Sequence, residues 1–210
     1  MWIQLLTHRR FPDKSGKLQF HFPGEVVNVK NKALCWELIQ NGHALNMSLS
    51  SDDVPEGVGV VVRGREVPGW AQALTDDVVS GEFGVPYPLT VILDPAVRPN
   101  HRDLRIALAQ LGKRYWDVAV PLLDYARTAA HVGTRAERER TAKVLPTLLC
   151  PVYDTRLILA KMTDRTTKLM NIFAEECEGA KNYDLAFLRA CYRVKPYLWA
   201  LQQEIIARGR

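Results

Sequence analysis

Tyr87-Pro-Leu-Thr-Val-Ile-Leu-Asp94-Pro-Ala-Val-Arg98 is an apolar, β-branched run that stops at an acid, with a proline and then a basic residue beyond it. A strand buried on both faces reads as a continuous hydrophobic run, and open α/β sheets bind ligands at the carboxyl ends of their strands. The stretch therefore predicts a buried parallel strand over residues 89–93 that delivers Asp94 to a ligand-bearing edge. Downstream, Leu104, Ala107, Leu108 and Leu111 recur at helical spacing, which predicts a helix over 100–111 with Arg102 and Arg105 facing outward. Trp116-Asp-Val-Ala-Val-Pro-Leu-Leu-Asp124 is a second apolar strand that ends in an acid. Upstream, Val58 to Val62 reads as a strand. Pro68 to Ser80 reads as a helix, with Pro68 in its first turn and Trp70, Leu74 and Val78 four residues apart.

The same alternation continues to the end. Val152 to Ala160 predicts a strand, and Asp164 caps a helix to about Glu178 with Leu169, Phe173 and Cys177 inward. Residues 184–193 predict a further helix and 197–201 a last strand, while the charged 134–143 stretch predicts a solvated helix or a mobile loop. Strands alternating with helices in this way indicate an α/β sandwich with a mostly parallel or mixed sheet. The first 47 residues differ. Trp2 to Leu6, Leu18 to Phe22 and Glu25 to Val29 read as three strands, with Leu18, Phe20 and Phe22 sharing one face. Asn31 caps a helix over 32–40 that Asn41-Gly42 ends through the left-handed conformation. The polar, acidic stretch 48–57 reads as a linker. The expected organisation is a small β-β-β-α module (1–47), a linker (48–57) and an α/β domain (58–210).

At 210 residues and 47% hydrophobic, the chain can bury a substantial core. No apolar run approaches the ~20 residues that cross a bilayer, and the opening places its charges after the short apolar run, opposite to a secretory signal. A membrane partner is not expected, and the expected location is a cytoplasm or a virion. Four scattered cysteines without a CxxC pair read as reduced thiols, and zinc spacing is missing. Charge alternates along the chain: residues 48–97 carry 2 basic and 8 acidic side chains, residues 98–143 carry 10 and 5. This is not the dense basic stripe of a nucleic-acid reader.

Two resemblances follow from motifs. The opening Trp2-Ile-Gln-Leu-Leu, then Pro23-Gly-Glu-Val-Val-Asn-Val29, a helix and Asn41-Gly-His-Ala44 resemble small modules at the start of tailed-bacteriophage virion or head-cluster proteins. Within 58–201, Leu93-Asp-Pro-Ala-Val, Trp116-Asp-Val-Ala-Val-Pro, Pro151-Val-Tyr-Asp-Thr-Arg-Leu-Ile-Leu-Ala and Tyr183-Asp-Leu-Ala-Phe-Leu-Arg-Ala resemble, in order, the middle of a GT-A glycosyltransferase. That resemblance implies a truncated GT-A-like sheet, a nucleotide-sugar substrate, and Mg²⁺ or Mn²⁺ held by an Asp-x-Asp pair.

The departures bear on activity. Two residues after Asp94 stands Ala96, which offers no metal ligand, and only 36 residues separate Val58 from Asp94. The glycosyltransferase alternative would use Asp94 as metal ligand, Asp94, Asp124 and Asp154 as its acids, and Arg98, Arg102 and Arg105 against phosphates. No P-loop and no Gly-x-Ser-x-Gly elbow occurs in the sequence. The expectation is a non-catalytic, cofactor-free phage-type structural or assembly protein that binds other subunits, as a homo-oligomer or within a virion.

Overall fold

The structure, a computed structural model, describes residues 2–12, 17–22, 25–41, 43–46, 56–64, 67, 71–73, 75–81, 83–112, 114–123, 127–201 and 205–206. The chain divides into two compact units, and the first is discontinuous: residues 1–55 with 100–114, against 56–99 with 115–210.

The first unit contains β1 (Trp2–Leu5), β2 (Arg9–Pro12), β3 (Leu18–His21), β4 (Val26–Asn28), α1 (Lys32–Gln40) and β5 (Ala44–Asn46). β1 lies between β4 and β5, antiparallel to both, while β2 and β3 form a separate hairpin. The expected β-β-β-α order thus lacked β2 and β5. Two short strands of three and four residues carry too little periodicity to stand out. Leu5, Ile3, Cys35, Leu38, Ile39 and Ala44 form the core. Leu18, Phe20 and Phe22 share a face as expected, yet it is exposed, with the His8 ring against Phe20 and Phe22. Asn31 caps α1 by accepting the Leu34 amide hydrogen, as expected. Asn41 ends it at φ −82°, not left-handed. Gly42 and most of the 48–57 linker lie outside the described residues. The helix read over 100–111 is α2 (His101–Gly112); it groups with this unit and packs on β5.

The second unit holds β6 (Val58–Arg63), β7 (Val78–Gly81), β8 (Leu89–Leu93), β9 (Val118–Pro121), α3 (Arg135–Ala142), β10 (Leu157–Lys161), α4 (Asp164–Cys177), α5 (Tyr183–Val194) and β11 (Leu198–Leu201). Its six strands form one mixed sheet in the order β11-β9-β10-β8-β6-β7. β6 is parallel to β7 and β8, β9 is parallel to β11, and β10 runs antiparallel between β8 and β9. The chain is therefore mixed α/β, as read. All five residues of β8 are buried, which explains their unbroken apolar run. Gly59 in β6 is required because a Cβ there would run into the Tyr87 ring. Phe173, Phe187, Ile92, Ile158 and Val120 lie in the core that α4 and α5 close over the sheet.

The helix expected over 68–80 is not formed. Ala71–Ala73 makes a short 3₁₀ turn and Val78–Gly81 is an edge strand; residues 68–70 and 74 lie outside the described set. Two adjacent valines favour a strand, and pairing with β6 decides against the four-residue spacing. Thr163, not Asp164, caps α4 by accepting from the Thr166 amide.

The stretch 134–143 is helical and only partly solvated. Glu137 and Thr141 turn inward to Arg189 of α5, which is fully buried. Arg189 donates through Nε to Glu176 Oε2 at 2.6 Å, and through Nη1 to Glu137 Oε2 at 3.2 Å and Thr141 Oγ1 at 3.0 Å. Nη2 donates to the Glu176 carbonyl, and Arg140 and Arg193 add further ion pairs to Glu176. Every nitrogen of this guanidinium is used. The cluster ties α3, α4 and α5 together. No helix among the described residues is long and apolar enough to cross a membrane.

Candidate functional site

Strand register assembles the site. β6 and β8 run parallel with Val62 opposite Leu93, so the next residues, Arg63 at the end of β6 and Asp94 just past β8, come side by side at the sheet edge. β10 runs the other way with Leu157 opposite Leu93, so its start reaches the edge where its neighbours end. The Asp94 amide donates to the Arg156 carbonyl at 2.8 Å, and the Asp154 amide to the Pro121 carbonyl at 2.7 Å. Arg63, Asp94 and the segment 153–156 thus meet at one edge. The start of α5 joins them: Thr155 donates from its amide (2.9 Å) and its hydroxyl (2.7 Å) to Asp184 Oδ1.

The acids at this edge are engaged. Asp94 Oδ1 accepts the Ala96 amide hydrogen at 2.9 Å, the turn that an aspartate before a proline commonly makes. Its Oδ2 lies 3.5 Å from Arg63 Nη2. Asp154 is buried and held by Arg156 at both oxygens, Nε to Oδ1 at 2.8 Å and Nη2 to Oδ2 at 2.5 Å. These bonds raise the Arg156 pKa further above its ordinary value, with smaller help from Asp184 and Asp94. Burial pushes the Asp184 carboxyl up, against the two Thr155 hydrogen bonds that favour its ionised form.

Arg63, which stands beside Asp94, is itself only partly satisfied. It is 8% exposed. Its Nη2 donates to the Thr155 carbonyl at 2.8 Å. Nε and Nη1 are buried without a hydrogen-bond partner among the described residues. The Phe83 and Tyr183 rings lie 5.9 and 6.0 Å from the guanidinium carbon, the outer limit of a cation–π contact. A buried donor left unsatisfied costs about 1–3 kcal/mol, more when charged. Arg63 lines a pocket of about 350 Å³ with Gly64, Phe83, Asp94, Glu178 and Tyr183. Gly64 sits at φ +110°, a conformation other residues rarely adopt, and turns the chain sharply after Arg63.

No family model, curated protein or solved structure matches the chain.

Of the residues named from sequence, Asp94 and Asp154 come together at the edge. Asp124 lies outside the described residues. Arg98 is exposed beyond the Asp94 turn. Arg102 and Arg105 stand on α2, which groups with the first unit. Arg63, Thr155, Arg156 and Asp184 were missed. Arg63 had a signal, since Val58 to Val62 ends in a charge just as 89–93 does.

Mg²⁺ and Mn²⁺ take several oxygen ligands, commonly including one or two carboxylates. The donors here do not fit that demand: Ala96 supplies none, both Asp154 oxygens face a guanidinium, and Asp94 sits between an amide donor and Arg63.

A second pocket, of about 470 Å³, is apolar and includes Cys150, Tyr153, Leu188, Cys191 and Tyr192. Burial pushes the Tyr153 hydroxyl up to about 12 and both thiols above their ordinary range, so all three stay neutral.

Proposed function

We propose that the protein is a non-catalytic binding protein, a phage-type structural or assembly component that uses a degenerate sugar-transferase-like scaffold. The observation that carries this reading is the arginine pairing at the sheet edge, where Arg156 takes up both oxygens of Asp154 and Arg63 stands beside Asp94. Acids neutralised in this way do not offer the charge that would hold a cation against a leaving diphosphate. The phage-type assignment and the partner, other protein subunits, rest on the N-terminal motif. Calorimetry with UDP- and GDP-sugars in Mn²⁺ tests the reading. It expects no metal-dependent binding, together with a defined multimer on sedimentation. Tight, Mn²⁺-dependent binding that Asp94→Ala abolishes would overturn it.

The alternative, a metal-dependent glycosyltransferase acting on a nucleotide sugar, draws support from one observation. β8, β9, β10 and α5 follow one another in the order the resemblance implies, and Asp94 and Asp154 reach the same edge. The same titration decides between the two.

A further inference from the structure

We infer that the apolar pocket formed by α5, β11 and the segment 145–153 is a binding site for a medium-chain apolar monocarboxylate, with its chain in the pocket and its carboxylate at Lys195. Leu145, Pro146, Leu188 and Leu198 supply the walls. The volume, about 470 Å³, lies within the ~300–1,000 Å³ that small-molecule sites occupy. Every lining residue belongs to the second unit, and neither Arg63 nor Asp94 is among them. The site is therefore independent of the Asp94 edge.

Charge and backbone select the ligand. Lys195 is the only charged side chain among the described residues of the lining, which includes no carboxylate. Thr147, Tyr153 and Tyr192 add hydroxyl groups that can donate to an anion. Tyr153, pushed up to about 12, keeps its proton at neutral pH. A cation would meet Lys195 with no acid to balance it. A phosphate would find one ammonium for its charge and mostly apolar walls in place of its water. A monocarboxylate matches the single cation, and an alkyl chain behind it gains by leaving water for the walls. The backbone holds Lys195 in place under strain. It ends α5 in the left-handed conformation (φ 54°, ψ 57°), its amide donating to the Cys191 carbonyl at 2.8 Å. Glycine is the usual residue at such a cap. Lys195 is the only non-glycine residue with positive φ among the described residues, and residues kept in that region cluster at ligand clamps. Glycine would end the helix with less strain but would leave the pocket without its charge.

Calorimetric titration of the full chain with octanoate and decanoate, each below its micelle range, tests the site. Decanoate is expected to saturate one site with a Kd of roughly 0.1 mM, and octanoate to bind more weakly. Decan-1-ol, which has the chain without the charge, should bind about tenfold more weakly than decanoate. Lys195→Gly should weaken decanoate about tenfold while raising the melting temperature, because it removes the charge and the strained cap together. Lys195→Met keeps the strain, so it should weaken decanoate alike and leave the melt unchanged. The inference is overturned if decanoate does not saturate on protein with a native melt. Decan-1-ol binding as tightly as decanoate, or unchanged decanoate affinity in both folded Lys195 variants, would overturn it equally. The peptide Gly-Gly-Leu, saturating through its free carboxylate where decanoate does not, would give the pocket to a chain terminus and overturn it as well.

Discussion

The helix cluster around Arg189 and the sheet edge around Arg63 are built from the same parts, buried guanidinium groups beside carboxylates, but they are completed differently. Arg189 spends every nitrogen on Glu137, Glu176 and Thr141, and two outer arginines finish Glu176. Arg63 spends one nitrogen on the Thr155 carbonyl and leaves two. A buried ion cluster recovers its desolvation only when its hydrogen bonds are complete. The first cluster fixes three helices; the second leaves two buried donors without a partner among the described residues.

Breaking each arginine should expose the difference. Arg189→Met leaves buried Glu137 with the Lys181 amide and Glu176 with the outer Arg140 and Arg193, and should cost about 3–5 kcal/mol. By the usual size scaling that lowers the melting temperature by roughly 6–20 °C, readable by calorimetry. Arg156→Met leaves buried Asp154 with only the residue-156 amide and should cost about 1–3 kcal/mol in chemical denaturation. Arg63→Met removes a guanidinium with two unsatisfied nitrogens and should change stability by about 1–2 kcal/mol at most, since only the Nη2 bond to Thr155 and the long one to Asp94 are lost. A loss as large as that of Arg189→Met would put Arg63 among the structural arginines and erase the contrast.

The smallest effect is a matter of sign. Asp184 has its pKa raised by burial, so the folded state holds its proton at a pH where the unfolded chain has released it. Its contribution is therefore most favourable below the ordinary aspartate range and is lost as pH rises through the raised folded value. Asp184→Asn keeps an acceptor for Thr155 and cannot ionise. Denaturation against pH should show the variant gaining on the wild type as pH rises through that window. A variant that instead gained on the wild type as pH falls would contradict the burial account.

Much of this was legible in the sequence because local chemistry fixed it. The unbroken apolar run before Asp94 reports a strand covered on both faces, and Asn31 reports a helix start within its own turn. What depended on distant pairing was not legible. Val78 and Val79 became a strand because β6 lies beside them, and nothing local states that β10 runs backwards. That reversal placed Arg156 next to Asp94, so an edge expected to offer free acids proved to be paired. The charged stretch 134–143 misled for a related reason: its glutamate is buried against an arginine some fifty residues later in the chain, beyond any local pattern.

The discontinuity of the first unit has a consequence for how the protein is made. Its strands and α1 are translated early, but α2, which packs on β5, follows only after residues 56–99 of the other unit have been synthesised. At ~5–20 residues per second, the ribosome delivers that missing piece roughly 3–12 s after residue 55. The nascent amino-terminal strands pass through that interval without α2 against β5.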